Sequence, residues 1–346
     1  MMRALTVIPG VADSARLDDM QEPDPGEGNV LIQAHSVGVC GTDREILEGL
    51  YGAAPPGEER LILGHESVGR VLEAPAESGL EPGDWVCGIV RQPDPVPCPS
   101  CAMGQWDMCQ NGRYTEHGIK GLHGFCAERY RLDVGFVVPV DERLGARGVL
   151  VEPASVVAKA WDHISRIGER TMWKPERVLV TGAGPIGLLA AMMGVQRGLD
   201  VHVLDRVTEG PKPKLTAALG ATYHTGDIDD VEPPDIVLEC TGAPSLVISC
   251  MRAVRPNGIV CLTGVSSGGR TIPVDTGALN RELVLENNVV FGTVNANRLH
   301  YDQAAAALLR ADPAWLDSLI TRSVPVEQWQ DALERQPGDV KTVITL

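Results

Sequence analysis

The chain has 346 residues, 44% of them hydrophobic, a length and composition that suit two domains with substantial cores. A formal charge of -16 repels phosphate, which argues against nucleic acid and anionic membranes as partners. Aromatic residues make up only 4%, which argues against a base-stacking surface as well.

The opening stretch "MMRALTVIPG" reads as a strand and not as a secretion signal. Apolar runs such as "LLAAMMGV" fall short of a membrane span, so the expected location is the cytoplasm. In that setting nine cysteines read as thiols or metal ligands, not disulfides.

Up to about residue 150, short alternating runs ("NVLIQAHSVGV", "ESVGRVLEA", "GDWVCGIV") are separated by Pro and Gly clusters, the rhythm of an antiparallel β domain. From Glu152 the pattern changes. "VVAKAWDHISRI" has helical spacing, and "RVLVTGAGPIGLLAAMMGVQRG" reads as strand, glycine turn and helix. "DVHVLDR", "DIVLECTG", "GIVCLTGV" and "VVFGTVN" read as further strands with helices between them, which predicts a parallel doubly wound sheet. "VTEGPKPKL" reads as a loop, and "YDQAAAALLRADPAWLDSLI" as a helix pair. "VKTVITL" is a final strand able to return to the first domain.

Gly182, Gly184 and Gly187 of "GAGPIG", with Pro185 and Ile186 between them, sit at a strand-to-helix turn. There the glycines permit a tight turn, phosphate approach and close helix packing. Asp205 ends the next strand, where a carboxylate can accept from ribose hydroxyls, which favours NAD. Arg206 beside it can pair with a 2′-phosphate, which favours NADP. The balance leans to NAD, with dual use open.

Cys40 in "GVCGTDREI", His65 and Glu66 in "LGHESVGRV", and Glu152 in "LVEPASVV" offer thiolate, imidazole and carboxylate. Such a set suits a tetrahedral zinc with one position open to substrate. Taken singly, Cys40 also reads as a small buried hydrophobe, His65 as a core histidine, and the two glutamates as surface acids. Beside a nucleotide turn, the joint reading is a Lewis-acid site for hydride transfer from an alcohol. Thr42 is then the first link of a proton relay.

The motifs "VGVCGTD", "GHESVG", "PGDWV", "VEPASV" and "GAGPIG", in that order, resemble the zinc-containing medium-chain dehydrogenase/reductase superfamily. "GRYTEHGIKGLHGFCAERY", "LTGVSSGG", "NRELVLENNVVFGTVNANRLHYDQA" and "VKTVI" narrow the resemblance to the glucose 1-dehydrogenases of archaeal type and their bacterial relatives. It implies an α/β fold: a GroES-like β-rich catalytic domain over 1–155, completed by 299–346, and a Rossmann domain over 156–298. It also implies oxidation of an aldose at C1 to the lactone. Cys40, His65, Glu66 and Glu152 become the zinc neighbourhood, in which the two glutamates exchange or act through water. Thr42, Glu116, Glu152 and Asn295 would contact the sugar. Gly264, Val265, Thr293 and Asn295 would line the nicotinamide side, and a homo-oligomer, dimer or tetramer, is expected.

A zinc polyol, secondary-alcohol or aminocyclitol dehydrogenase shares the motifs up to "GAGPIG", and a non-catalytic nucleotide-binding relative is the remote alternative. His117, His123 and His300 are given no role, and Cys87, Cys126, Cys240, Cys250 and Cys261 read as core. Relatives often carry a second, structural zinc on four cysteines; here only Cys98, Cys101 and Cys109 are present. Either Asp94 supplies the fourth ligand (Asp107 is the poorer choice) or the lobe has lost its metal.

Overall fold

The computed structural model describes residues 1–266, 268–269 and 271–346; of "LTGVSSGG", Ser267 therefore lies outside the described residues. The chain divides into one unit of Met1–Ser155 with Asn295–Leu346 and another of Val156–Val294. No helix among the described residues is long and apolar enough to cross a membrane.

In the first unit the strands Val137–Pro139, Trp85–Gly88, Glu66–Glu73, Val30–Gly38, Lys341–Thr345 and Ile320–Pro325 lie side by side in that order. Along Val30–Gly38 the residues Val30, Ile32 and Ala34 are buried while Gln33 and His35 face out, the period of two that a half-buried strand requires. The last three residues, Val37 among them, are all buried, because here the strand enters the functional site. Leu5, Ile32, Ile46, Leu63, Phe125 and Ile344 belong to the core of this unit. The final strand pairs with Val30–Gly38, Ile344 opposite Val37, so residues from the two ends of the sequence share one sheet.

In the second unit six strands among the described residues run in the order Thr222–His224, Asp200–Leu204, Arg177–Thr181, Ile236–Glu239, Ile259–Leu262 and Val289–Gly292. Adjacent strands are parallel throughout. Val178, Leu179 and Val180 are fully buried, as strands covered on both faces must be. The helix Pro185–Val195 is apolar all round and buried from Gly187 to Gly194. Sequence order and strand order together give the doubly wound arrangement.

One expectation needs correction. "VTEGPKPKL" is not wholly a loop, because a helix runs over Pro211–Ala218. Pro211 stands at its start, where a missing N–H costs nothing.

Candidate active site

The register of Glu66–Glu73 against Val30–Gly38 places Gly38 opposite Glu66. A side chain on Gly38 would collide with Glu66 Oε2, so the close approach requires glycine. Cys40 then caps the helix Gly41–Leu47, and its backbone N–H donates to Asp43 Oδ2 at 2.8 Å. Asp43 Oδ1 lies 3.4 Å from His65 Nδ1, which orients the ring. One ligand atom each of Cys40, His65 and Glu66 lies within 4.8 Å of the others. Glu152 falls outside that trio, in the first turn of the helix Val151–Gly168. It is close enough that burial, and then the Glu66 carboxylate, push its carboxyl up to about 8. Burial disfavours charge on His65, but Asp43 and Cys40 outweigh it and hold the imidazole well above its ordinary 6.5.

The fit to a cation follows from the donor set. Asp43, Glu66 and Glu152 are buried together beside a thiol, and Lys341 is the cation placed against Glu66 Oε2. Lys341 also donates to Val39 O at 3.0 Å. Protons held on Glu152 and His65 are what a divalent ion would displace, and the sulfur, nitrogen and oxygen donors then offered are those of a zinc site. Thr42 sits in the first helical turn, partly buried, two positions from Cys40.

Glu116 lies in the short strand Thr115–His117. Its partner across the ladder is Arg91. Glu116 Oε1 accepts from Arg91 Nε at 3.0 Å, Arg91 Nη2 at 2.9 Å and Asn295 Nδ2 at 2.9 Å. Glu116 and Asn295, expected at the sugar, are therefore adjacent. Asn295 holds a left-handed backbone (φ 60°), and its Oδ1 accepts from Ala296 N.

Cys98, Cys101 and Cys109 cluster with their sulfurs within 4.8 Å. Asp94 reaches them through its backbone, whose N–H faces Cys101, but its carboxylate is engaged elsewhere: it accepts from Val96 N at 2.9 Å, Asn111 Nδ2 at 2.8 Å and Arg113 Nε at 3.2 Å. Asp107 is turned elsewhere too, since its Oδ1 accepts from Asn297 Nδ2. Among the described residues three thiols come together there, and no carboxylate joins them within 4.8 Å. Cys87, Cys126, Cys250 and Cys261 are buried, and Cys240 partly so.

In the second unit Gly182 (φ 89°) makes the turn after Arg177–Thr181, and Gly184 caps the helix that Pro185 and Ile186 open. A side chain on Gly184 would meet nothing within 4 Å, so the space a phosphate needs is open; one on Gly187 would overlap the Gly182 carbonyl oxygen. Asp205 ties this loop together: Oδ2 accepts from Ala183 N at 2.7 Å and Lys212 Nζ at 2.9 Å, and Oδ1 from Val207 N at 2.9 Å. At the end of the neighbouring strand, Glu239 is fully buried and accepts from Thr241 N at 2.8 Å and Gly242 N at 3.1 Å. Gly264 packs so closely on Gly242 N that any side chain there would clash. Val265 is exposed, and Thr293 is buried with no partner for its hydroxyl among the described residues.

Sequence reasoning missed Asp43, Lys341, Arg91 and Glu239. Asp43 carried a signal: three residues after Cys40 is the spacing at which a helix-capping acid reaches back. The others carried none.

His117, left without a role, stacks on Phe125 at 5.0 Å, and its Nδ1 lies 2.7 Å from His123 O. Burial lowers its pKa to about 4, so the folded state prefers the neutral ring. Below pH 6.5 the unfolded chain takes up a proton that the folded one refuses until about 4, so stability falls across that window. With some solvent access to the ring, the loss is expected to be on the order of 2 kcal/mol. His117→Gln, compared with the unmodified protein in urea at pH 7 and 4.5, should flatten this slope. Parallel slopes would refute it. His300 serves the start of the helix Arg298–Arg310, accepting from Asn297 N at 3.3 Å.

A β-rich unit holding a Cys–His–Glu trio and a doubly wound unit with a phosphate-ready glycine turn, in one chain, define a medium-chain dehydrogenase/reductase. Comparisons with known proteins agree. The alcohol dehydrogenase GroES-like domain matches residues 26–142, and the glucose dehydrogenase C-terminus matches 145–346. A glucose 1-dehydrogenase of Methanocella arvoryzae is 38% identical across this whole chain and 99% of that protein. Glucose 1-dehydrogenase 2 of Vulcanisaeta moutnovskia is 40% identical over the same shares. Among solved structures, Haloferax mediterranei glucose dehydrogenase in complex with NADP, Zn and gluconolactone superposes with a TM-score of 0.92 at 32% identity. That match covers 100% of this chain and 99% of that one. The chain belongs to the glucose dehydrogenase family of medium-chain dehydrogenases, as the motifs implied.

Proposed function

We propose that this protein oxidises an aldose, glucose or galactose, at C1 to the aldonolactone in a zinc-dependent reaction that reduces NAD(P). The observation that carries the reading is the buried trio of Cys40, His65 and Glu66, with ligand atoms within 4.8 Å of one another. When bound, zinc supplies Lewis-acid polarisation of the C1 oxygen and NAD(P) supplies the hydride acceptor. Cys40, His65 and Glu66 hold the metal, with Glu152 beside them. Thr42 takes the proton of the C1 hydroxyl at its Oγ1 and passes it outward. Glu116 and Asn295 fix the sugar through its other hydroxyls.

Gly182, Gly184, Pro185, Ile186 and Gly187 receive the pyrophosphate, while Gly264, Val265, Thr293 and Asn295 serve the nicotinamide side. Asp205 favours NAD, whereas Arg206 and Lys212 offer cations to a 2′-phosphate, so both coenzymes are used. Family membership supports this assignment, as does the relative solved with NADP, Zn and gluconolactone. The protein works in the cytoplasm as a dimer or tetramer. The edge strand Val289–Gly292 and the exposed Val284 and Leu285 support the assembly, and a monomer in sedimentation would count against it.

The test is a panel of glucose, galactose, xylose and sorbitol with NAD and NADP, before and after exhaustive chelation. Aldose oxidation should vanish on chelation and return with zinc. Sorbitol oxidation without glucose oxidation overturns the substrate class, and activity that survives chelation overturns the zinc.

A further inference from the structure

Glu116 uses its two oxygens unequally. Oε1 takes three donors, two from Arg91 and one from Asn295, which exceeds the two lone pairs of a carboxylate oxygen. None of the hydrogen bonds of the described residues reaches Oε2. The asymmetry originates in the backbone, since Arg91 and Glu116 are direct partners in the antiparallel ladder. Both side chains are 6% exposed, so neither trades its partner for water.

Arg91 is itself held from two further sides. Its Nη1 donates to Asp107 O at 3.2 Å, and its guanidinium lies 3.7 Å over the Tyr114 ring. Asp107 lies between Cys101 and Cys109 in the cysteine lobe and accepts from Asn297 Nδ2 at 2.9 Å. A chain of contacts therefore runs from the lobe through Arg91 to Glu116.

We infer that Arg91 is a positioning residue for sugar binding: with Asn295 it saturates Glu116 Oε1, so that Oε2 alone is turned to the substrate as hydroxyl acceptor. The inference rests on the reading of Glu116 as a sugar contact. It assigns a task to the cysteine lobe as well, because that lobe anchors the third arm of the guanidinium. A flat fork with several donors can hold one oxygen while stacking on a ring, and an ammonium cannot. Arg91 touches no reacting atom, so it acts on affinity equally in ground and transition states, a change of KM and not of kcat.

The test uses the zinc-loaded enzyme and four variants: Arg91→Met, Arg91→Lys, Glu116→Gln and the double Arg91→Met/Glu116→Gln. Arg91→Met should raise the glucose KM about tenfold or more, with kcat within roughly threefold and coenzyme KM unchanged. Arg91→Lys should recover part of the loss. The double variant should match Glu116→Gln within about twofold, because Arg91 acts only through that carboxylate. It also removes both buried charges together, so it tests the inference should Arg91→Met alone fail to fold. Multiplying effects in the double variant overturn the inference, as does a loss confined to kcat or coenzyme KM. If the unmodified enzyme oxidises no aldose, the functional reading fails instead, before any variant is compared.

Discussion

Replacing His65 by alanine is expected to cut aldose oxidation by at least about 10³-fold and to lower bound zinc by about one per chain. The imidazole is one of three donors in the trio and is oriented by Asp43, so its loss removes the trio's nitrogen donor. Thr42→Ala is the control that separates metal binding from proton transfer. It should lower kcat by roughly 10²-fold, the scale of one positioned proton acceptor, while zinc content and coenzyme KM stay unchanged. Metal analysis by plasma emission, beside steady-state kinetics, reads both outcomes. A His65→Ala protein with full zinc and near-normal turnover would remove the trio from the mechanism, and equal losses of kcat and coenzyme affinity in Thr42→Ala would remove the relay.

Lys341→Met should destabilise the protein by about 3–5 kcal/mol, the cost of leaving a buried charge without its partner. Lys341 and Glu66 are each almost wholly buried, and Glu66 shares its surroundings with Asp43 and Glu152. Without the ammonium, Glu66 is left with the metal, or in its absence the His65 imidazole, to offset it. The loss should therefore be larger after chelation than with zinc present. Urea unfolding of both forms measures it; a shift below about 1 kcal/mol in the chelated form would show that Glu66 does not depend on Lys341.

The parts of this architecture that local pattern encodes were legible. The "GAGPIG" turn declares itself because a strand run precedes it and an apolar helix follows, and the fully buried strands of the second unit read as continuous Val, Ile and Leu. Cys40, His65 and Glu66 were legible as chemistry, since few buried roles call for those three types beside a nucleotide turn. What stayed hidden depends on distance along the chain. Lys341 sits in an ordinary strand sequence, and only pairing across 302 residues brings it to Val39. Arg91 likewise meets Glu116 through strand register, which no periodicity specifies. Asp94 misled for the converse reason: its spacing suits a ligand, but Asn111 and Arg113 claim the carboxylate.

The strand at 341–345, laid beside residues 36–38, also sets an order of events during synthesis. The earlier strand emerges first and must wait with part of its edge unpaired while the ribosome makes some 300 further residues. At about 5–20 residues per second that delay is roughly 15–60 s, long enough for the nucleotide-binding unit to fold on its own core. Glu66 lacks its ammonium throughout that interval. The first unit therefore completes its sheet, and Glu66 gains its ion-pair partner, only after the second unit has been made.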